Sequence, residues 1–163
     1  MSAMTTPAAP TPLVCDMTTA PDTPQERMAE YGRLFEHALA GRERTTDAVI
    51  WRFTARAGVE AWVRDLADRE AACCPFFVYT VSEQDGQVTY QIAGDDDPIV
   101  HGILDEFHHL PERLADGLPG LLQRLHDHGL EVRARDDGSA MTATERSGSN
   151  SPSVRNRSPA TVQ

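Results

Sequence analysis

Two adjacent cysteines, Cys73 and Cys74, are the residues of this chain whose type and spacing best suit chemistry. Thiolates prefer soft ions, and two or three of them form a low-coordinate site for a metal or metalloid. Pro75 follows the pair and disfavours helical backbone at Cys74, so we expect a helix to end between the two cysteines. Such a kink either turns both sulfurs toward one point or sends one into the core and one to solvent.

Cys15 is the only candidate for a third thiolate. It precedes the first predicted helix and must fold across the sheet edge to reach the pair. Its neighbour Asp16 is suited to act as a helix cap, a hydrogen-bond partner or a proton carrier. Glu70 lies one turn before the pair and, with the negative end of the helix dipole, raises the pKa of a nearby thiol, whereas Arg69 lowers it. A cation would relieve this negative charge, which favours a ligand site over an activated nucleophile.

A core position is the main alternative for these cysteines. Free cysteine is among the most buried residue types, and Cys73 lies on the apolar stripe of its predicted helix. The same stripe cannot easily bury Cys74. A disulfide between the two neighbours would be strained, and in a reducing cytosol three cysteines are more typical of thiols than of a disulfide framework.

The sequence therefore favours a cytosolic protein that binds a soft metal or metalloid, or another thiol-reactive ligand, through Cys73 and Cys74. Cys15 is the third candidate ligand, and Glu70 and Asp16 are the groups expected beside it. One open alternative is a non-catalytic interaction or structural module with core cysteines. Another is a thiol-dependent enzyme such as an organomercurial-cleaving lyase, in which thiolates hold the metal and Asp16 supplies the proton. Reversible oxidation of adjacent thiols is a further interpretation.

Two other groups of polar residues have simpler explanations. His101, Asp105 and His108 or His109 share one face of a predicted helix at zinc-like spacing, but this pattern is more typical of a solvated helix face. The acids of the run GDDDP, residues 94 to 98, are explained by helix capping and by the helix dipole.

Charge limits the classes of partner. The formal net charge is −10, and all fifteen basic residues are arginine. The absence of lysine excludes Schiff-base and P-loop lysine chemistry, and so acidic a chain is expected to repel nucleic acid. We also expect no membrane partner, since no signal peptide or membrane-spanning stretch is recognisable. No particular protein partner is indicated.

The hydrophobic pattern predicts an α+β fold. Helical spacing in residues 24 to 40, 59 to 73 and 98 to 110 alternates with strand-like runs at 48 to 55 and in a hairpin around Asp85-Gly86. A leucine-rich helix then ends at Gly129. This order predicts a small three-stranded sheet with a β-α-β-β-α core, partly ferredoxin-like, covered by helices.

The domain boundaries follow from composition. Residues 1 to 12 and the tail from 136 to 163 are poor in large apolar residues, so we predict that both are disordered. Residues 13 to 135 are predicted to form one α+β domain.

Three stretches are similar to a group of small bacterial proteins. These stretches are CDMT at residues 15 to 18, WRF at 51 to 53, and LADREAACCPFFVYTV at 66 to 81. The group carries a Cys-x-Leu/Met-Thr element and a Glu-x-x-Cys-Cys-Pro/Ala-Phe element before a β-hairpin, and similar segments occur at the C-terminal end of some MerR-type regulators. The resemblance spans roughly residues 13 to 110. It implies an architecture and thiol chemistry, whereas the chain lacks a recognisable DNA-binding segment.

Overall fold

The computed structural model describes residues 12 to 135, which form an α+β fold. The predictions of disorder for residues 1 to 12 and 136 to 163 concern, apart from Pro12, residues outside the described part of the chain. The elements in chain order are β1 (Leu13–Asp16), α1 (Pro24–Ala38), β2 (Leu39–Arg44), β3 (Ala48–Thr54), α2 (Val59–Cys73), β4 (Val78–Gln84), β5 (Gln87–Ala93), α3 (Pro98–His108), α4 (Leu110–Arg113), a 3-10 turn (Leu114–Asp116), α5 (Gly117–His128) and β6 (Leu130–Arg133).

The prediction of a three-stranded sheet is wrong. The main sheet has four antiparallel strands in the order β2-β3-β5-β4, and β1 and β6 form a separate parallel pair. Strand β5 lies between β3 and β4, so the β3-α2-β4 unit is split by the returning arm of the hairpin. The extra strand β2 is a hairpin partner of β3 and forms one edge of the sheet.

Local sequence signals account for the elements that were predicted correctly. Helix α1 begins with a capping box in which Thr23 accepts a hydrogen bond from the Glu26 backbone and Glu26 accepts one from the Thr23 backbone. The hairpin turns at Asp85 and Gly86, which both have positive φ angles as a type I′ turn requires. Asp97 caps α3 by accepting from the Ile99 backbone N–H.

Strand β2 was missed because Gly41 is a typical helix terminator. Helix α1 already ends at Ala38, and Leu39 turns directly into extended backbone with φ −61° and ψ 120°. The run from 39 to 44 contains a register shift between Leu39 and Gly41 and lacks the apolar alternation of a half-buried strand. Pairing with β3 places it in the sheet despite this weak pattern.

The core lies against one face of the main sheet. The inward side chains of the two central strands alternate as predicted and are almost fully buried: Val49, Trp51 and Phe53 in β3, and Val88, Tyr90 and Ile92 in β5. Helices α1, α2 and α3 contact the strands of this sheet. Within residues 12 to 135, no helix combines the length and the apolar character needed to cross a membrane.

Candidate functional site

The cysteine pair lies where helix α2 ends. Cys73 is the last helical residue, and Cys74 leaves the helix with φ −125° and ψ 69° while its backbone N–H still donates to the Glu70 carbonyl. Pro75 cannot donate the next helical hydrogen bond and disfavours helical geometry at Cys74. The structure thus has the helix end that the sequence predicts.

The structure joins Cys15 to Cys74 in a disulfide, so the expectation of three free thiols is wrong for this state. Strand β1 pairs in parallel with β6, with Cys15 opposite Val132, and this pairing holds Cys15 beside the end of α2. The Cα atoms of Cys15 and Cys74 are 4.7 Å apart, within the range of protein disulfides. The sequence could not reveal this contact because 59 positions separate the two residues.

Cys73 is the free thiol of the site. Its Sγ lies 4.0 Å from the Sγ of Cys74, so the two neighbouring sulfurs face each other without being bonded. The exposed fractions of Cys15, Cys73 and Cys74 are 5%, 4% and 3%, so the core buries both members of the pair. The turn out of α2, rather than the helix stripe, buries Cys74, and Tyr79 donates to its carbonyl oxygen at 3.1 Å.

Arg27 is the cation of the site and was not predicted. Its Nη1 donates to Cys73 Sγ at 3.1 Å and to Glu70 Oε1 at 3.3 Å. Asp22 accepts from the other side of the same guanidinium, at 2.9 Å from Nε and 2.6 Å from Nη2. The available signal was helical spacing, because Arg27 shares the buried face of α1 with Tyr31, four residues later.

Arg69 was expected to offset the negative charge at the thiols, but it is occupied elsewhere. Its guanidinium pairs with Asp22, Glu30 and Asp65 at 2.9, 2.7 and 2.7 Å. These contacts make Arg69 and Asp22 part of the bridge between α1 and α2. Arg27 takes the role at the sulfur that was assigned to Arg69.

Glu70 lies one turn before the cysteine pair in α2 and accepts hydrogen bonds from side chains beside the sulfurs. Its Oε1 accepts from Arg27 and, at 3.3 Å, from the Tyr31 hydroxyl. Burial raises the pKa of Glu70, although the Arg27 guanidinium acts in the opposite direction. Among residues 12 to 135, one group of three side chains could hold a metal ion. It consists of Glu70, Cys73 and Cys74, whose ligand atoms lie within 4.8 Å of one another.

The Cys73 thiol is disfavoured as a thiolate when no cation is added. Burial raises its pKa, and the Glu70 carboxylate raises it further, while the nearby Arg27 guanidinium lowers it. The net direction is upward. A raised pKa is the opposite of what activates a nucleophilic cysteine, and the ligand role drawn from the sequence stays a prediction.

Asp16 lies apart from this group. Its Oδ1 accepts from the backbone N–H and the hydroxyl of Thr18 at 2.9 and 2.6 Å, and these bonds lower its pKa. Because strand residues alternate between faces, Cys15 points into the core and Asp16 is exposed. Asp16 therefore serves as a turn-forming hydrogen-bond acceptor, one of the roles considered from the sequence.

A cavity of about 90 Å³ connects the three cysteines to the rest of the core. Arg27 and Glu70 also line it, as do Trp51 and a row of leucines from α5. The Trp51 Nε1–H is buried and has no hydrogen-bond partner among the described residues. The cavity is partly open to solvent, and several of its lining side chains are half-buried, including Met28 of α1 and Leu122 of α5.

The histidine candidates on α3 do not form a metal cluster among the described residues. His101 Nε2 lies 3.3 Å from Asp96, and Asp105 pairs with Arg44 at 2.9 Å. His108 is near Arg42 and Arg44, and burial followed by these charges lowers its pKa. These contacts fit the interpretation of an ordinary polar helix face.

No family model, curated protein or solved structure matches this chain. The similarity of residues 13 to 110 to the small bacterial Cys-Cys-Pro-Phe proteins stays a prediction. The function therefore has to be argued from the cysteine site itself.

Proposed function

We propose that the reduced protein binds a soft metal or metalloid ion through Cys73 and Cys74, with Cys15 as the third thiolate. The observation that carries this proposal is the convergence of all three sulfurs at one buried point beside an accessible cavity. Reduction of the disulfide frees two of these sulfurs while the β1–β6 pairing and the end of α2 hold their backbones in place. Thiolates so grouped select soft ions over hard ones.

Charge supports a cationic ligand. Three thiolates beside the Glu70 carboxylate place up to four negative charges in one buried region, and burying unpaired charge is costly. Arg27 supplies one positive charge at 3.1 Å from Cys73 Sγ, and Asp22 already neutralises part of it. A bound ion of charge two or three would complete the compensation, whereas without it the thiols stay protonated.

The experiment is a titration of the protein, reduced with a phosphine, with arsenite and separately with Cd(II). We expect one ion per chain, together with protection of two or three thiols from a chromogenic disulfide reagent. The Cys73→Ser/Cys74→Ser double variant is expected to fold and lose this binding. The Asp16→Asn variant is the matched control, because Asp16 is exposed and bonded to Thr18, and should bind as the wild type does. Stoichiometric binding by the double variant would contradict the proposal.

The low exposure of the three cysteines also favours a second candidate, a structural or interaction module in which they only stabilise the core. In that case the reduced thiols react with the reagent only when the chain unfolds, and neither arsenite nor Cd(II) changes the rate. The same titration separates the two candidates. Carbon–metal cleavage is not proposed, because Asp16, the acid considered for it, is exposed and bonded to Thr18. A cytosolic location and the lack of a nucleic-acid partner stay predictions.

A further inference from the structure

The cavity beside the cysteines has an apolar wall that an inorganic ion would not use. Leu118, Leu121, Leu122 and Leu125 line it from α5. Their spacing of i, i+3, i+4 and i+7 puts them on one face of the helix. Ile92 of the main sheet lines the same cavity. The charged groups of the lining, Arg27 and Glu70, lie with the sulfurs, so the site joins a soft-ion end to a largely hydrocarbon-like end.

These two ends favour different parts of one ligand. A trivalent ion that is held by only two of the three thiols, and that keeps water or hydroxide as its remaining ligand, would place polar oxygen against leucine side chains, which is unfavourable. An alkyl group in the same position would leave water for an apolar environment, which is favourable. The wall therefore selects for a ligand whose metal or metalloid carries carbon.

The volume of the cavity limits the size of the carbon group that it can bury. An apolar cavity of about 150 Å³ accommodates benzene, and this cavity measures about 90 Å³. A short alkyl group fits this space better than an aromatic ring. The half-buried Leu118 and Leu122 mark the side from which such a group would enter.

We infer that the ligand is a monoalkyl derivative of a trivalent metalloid, held by two of the thiols with its alkyl group among the leucines of α5. This inference rests on the proposed thiolate site. In the binding step, R–As(OH)₂ reacts with two thiols to form two As–S bonds, and two As–O bonds break. Each hydroxide leaves with one thiol proton as water. The arsenic stays trivalent, and no oxidant or reductant is consumed.

The test is a series of reduced-protein titrations with arsenite and with methyl-, ethyl- and propyl-arsonous acid. A soluble dithiol competes in each titration, so that the intrinsic strength of the As–S bonds cancels. We expect affinity relative to the dithiol to rise about fourfold with each added methylene, the ratio that corresponds to about 0.8 kcal/mol per buried methylene. A phenyl derivative should fall below the propyl one.

Variants that fill the cavity test whether the alkyl group binds there. Leu122→Trp, or Leu118→Phe if the first does not fold, should flatten the alkyl series while leaving arsenite binding unchanged. Leu114→Trp is the control, since Leu114 is also half-buried but does not line this cavity. If the wild type binds arsenite but its affinity does not rise with the length of the alkyl group, this inference is overturned and the proposed function still stands. Failure of the reduced wild type to bind arsenite or any member of the series overturns both.

Discussion

The disulfide between Cys15 and Cys74 should stabilise the oxidised protein strongly, because it closes a long loop. The two residues are 59 positions apart, and the chain-entropy relation for a loop of this length gives about 4 kcal/mol. For a domain of this size, each kcal/mol changes Tm by about 3–5 °C, so reduction should lower Tm by roughly 12–20 °C. The comparison is a thermal or urea unfolding curve with and without a phosphine reductant.

Two variants separate the disulfide from the thiol beside it. Cys15→Ser/Cys74→Ser should unfold like the reduced wild type and show no further response to reductant. Cys73→Ser keeps the disulfide and replaces the thiol by a hydroxyl that can accept the same hydrogen bond from Arg27, so its free energy of unfolding should change by about 1 kcal/mol or less. Thiol counting in denaturant should give one thiol per oxidised chain and three after reduction. Three thiols without reductant, or identical unfolding curves in both conditions, would refute the reasoning.

Charge contacts give two further predictions. Arg27→Met should lower the free energy of unfolding by about 3 kcal/mol, because it leaves the partly buried Glu70 carboxylate without its cation and leaves Asp22 with Arg69 alone. Arg64→Met breaks only an exposed pair with Glu60 and should cost less than about 0.5 kcal/mol; equal costs in urea unfolding would contradict this ranking. Burial opposes ionisation of Asp22, but Arg27 outweighs it and lowers the pKa below 3.8. The stability that Asp22 adds is therefore present above pH 3.8 and lost as pH falls below it. The free energies of unfolding of Asp22→Asn and the wild type should differ at pH 7 and converge in acid. A difference that persists at low pH would count against this account.

The parts of the fold that the sequence could predict are those set by neighbouring residues. The Thr23 capping box, the Asp85-Gly86 turn and the end of α2 before Pro75 each depend on a few adjacent positions. The missed strands depend on distant pairing instead. Strands β1 and β6 have four residues each and pair across more than a hundred positions, so neither carries a recognisable pattern of its own.

The residues of the candidate site also fall into two groups, those placed by neighbouring positions and those placed by the packing of distant elements. The sequence places Glu70, Cys73 and Cys74 together because one helix turn carries all three. The bond from Cys74 to Cys15 and the contact of Arg27 with Cys73 depend on how β1 and α1 pack against that helix. The sequence did carry one further signal, because Arg27 lies within the apolar stripe of α1. A buried arginine requires acidic or soft partners nearby.

The parallel pairing of β1 with β6 has a consequence for biosynthesis. Strand β1 is among the first described residues to leave the ribosome, and β6 is among the last. Until Leu130–Arg133 has emerged, a nascent chain has no strand to align Cys15 beside the end of α2. A chain stalled after α5 would thus carry all three cysteines without the strand that holds Cys15 beside Cys73 and Cys74, so the three sulfurs come together only after β6 has emerged.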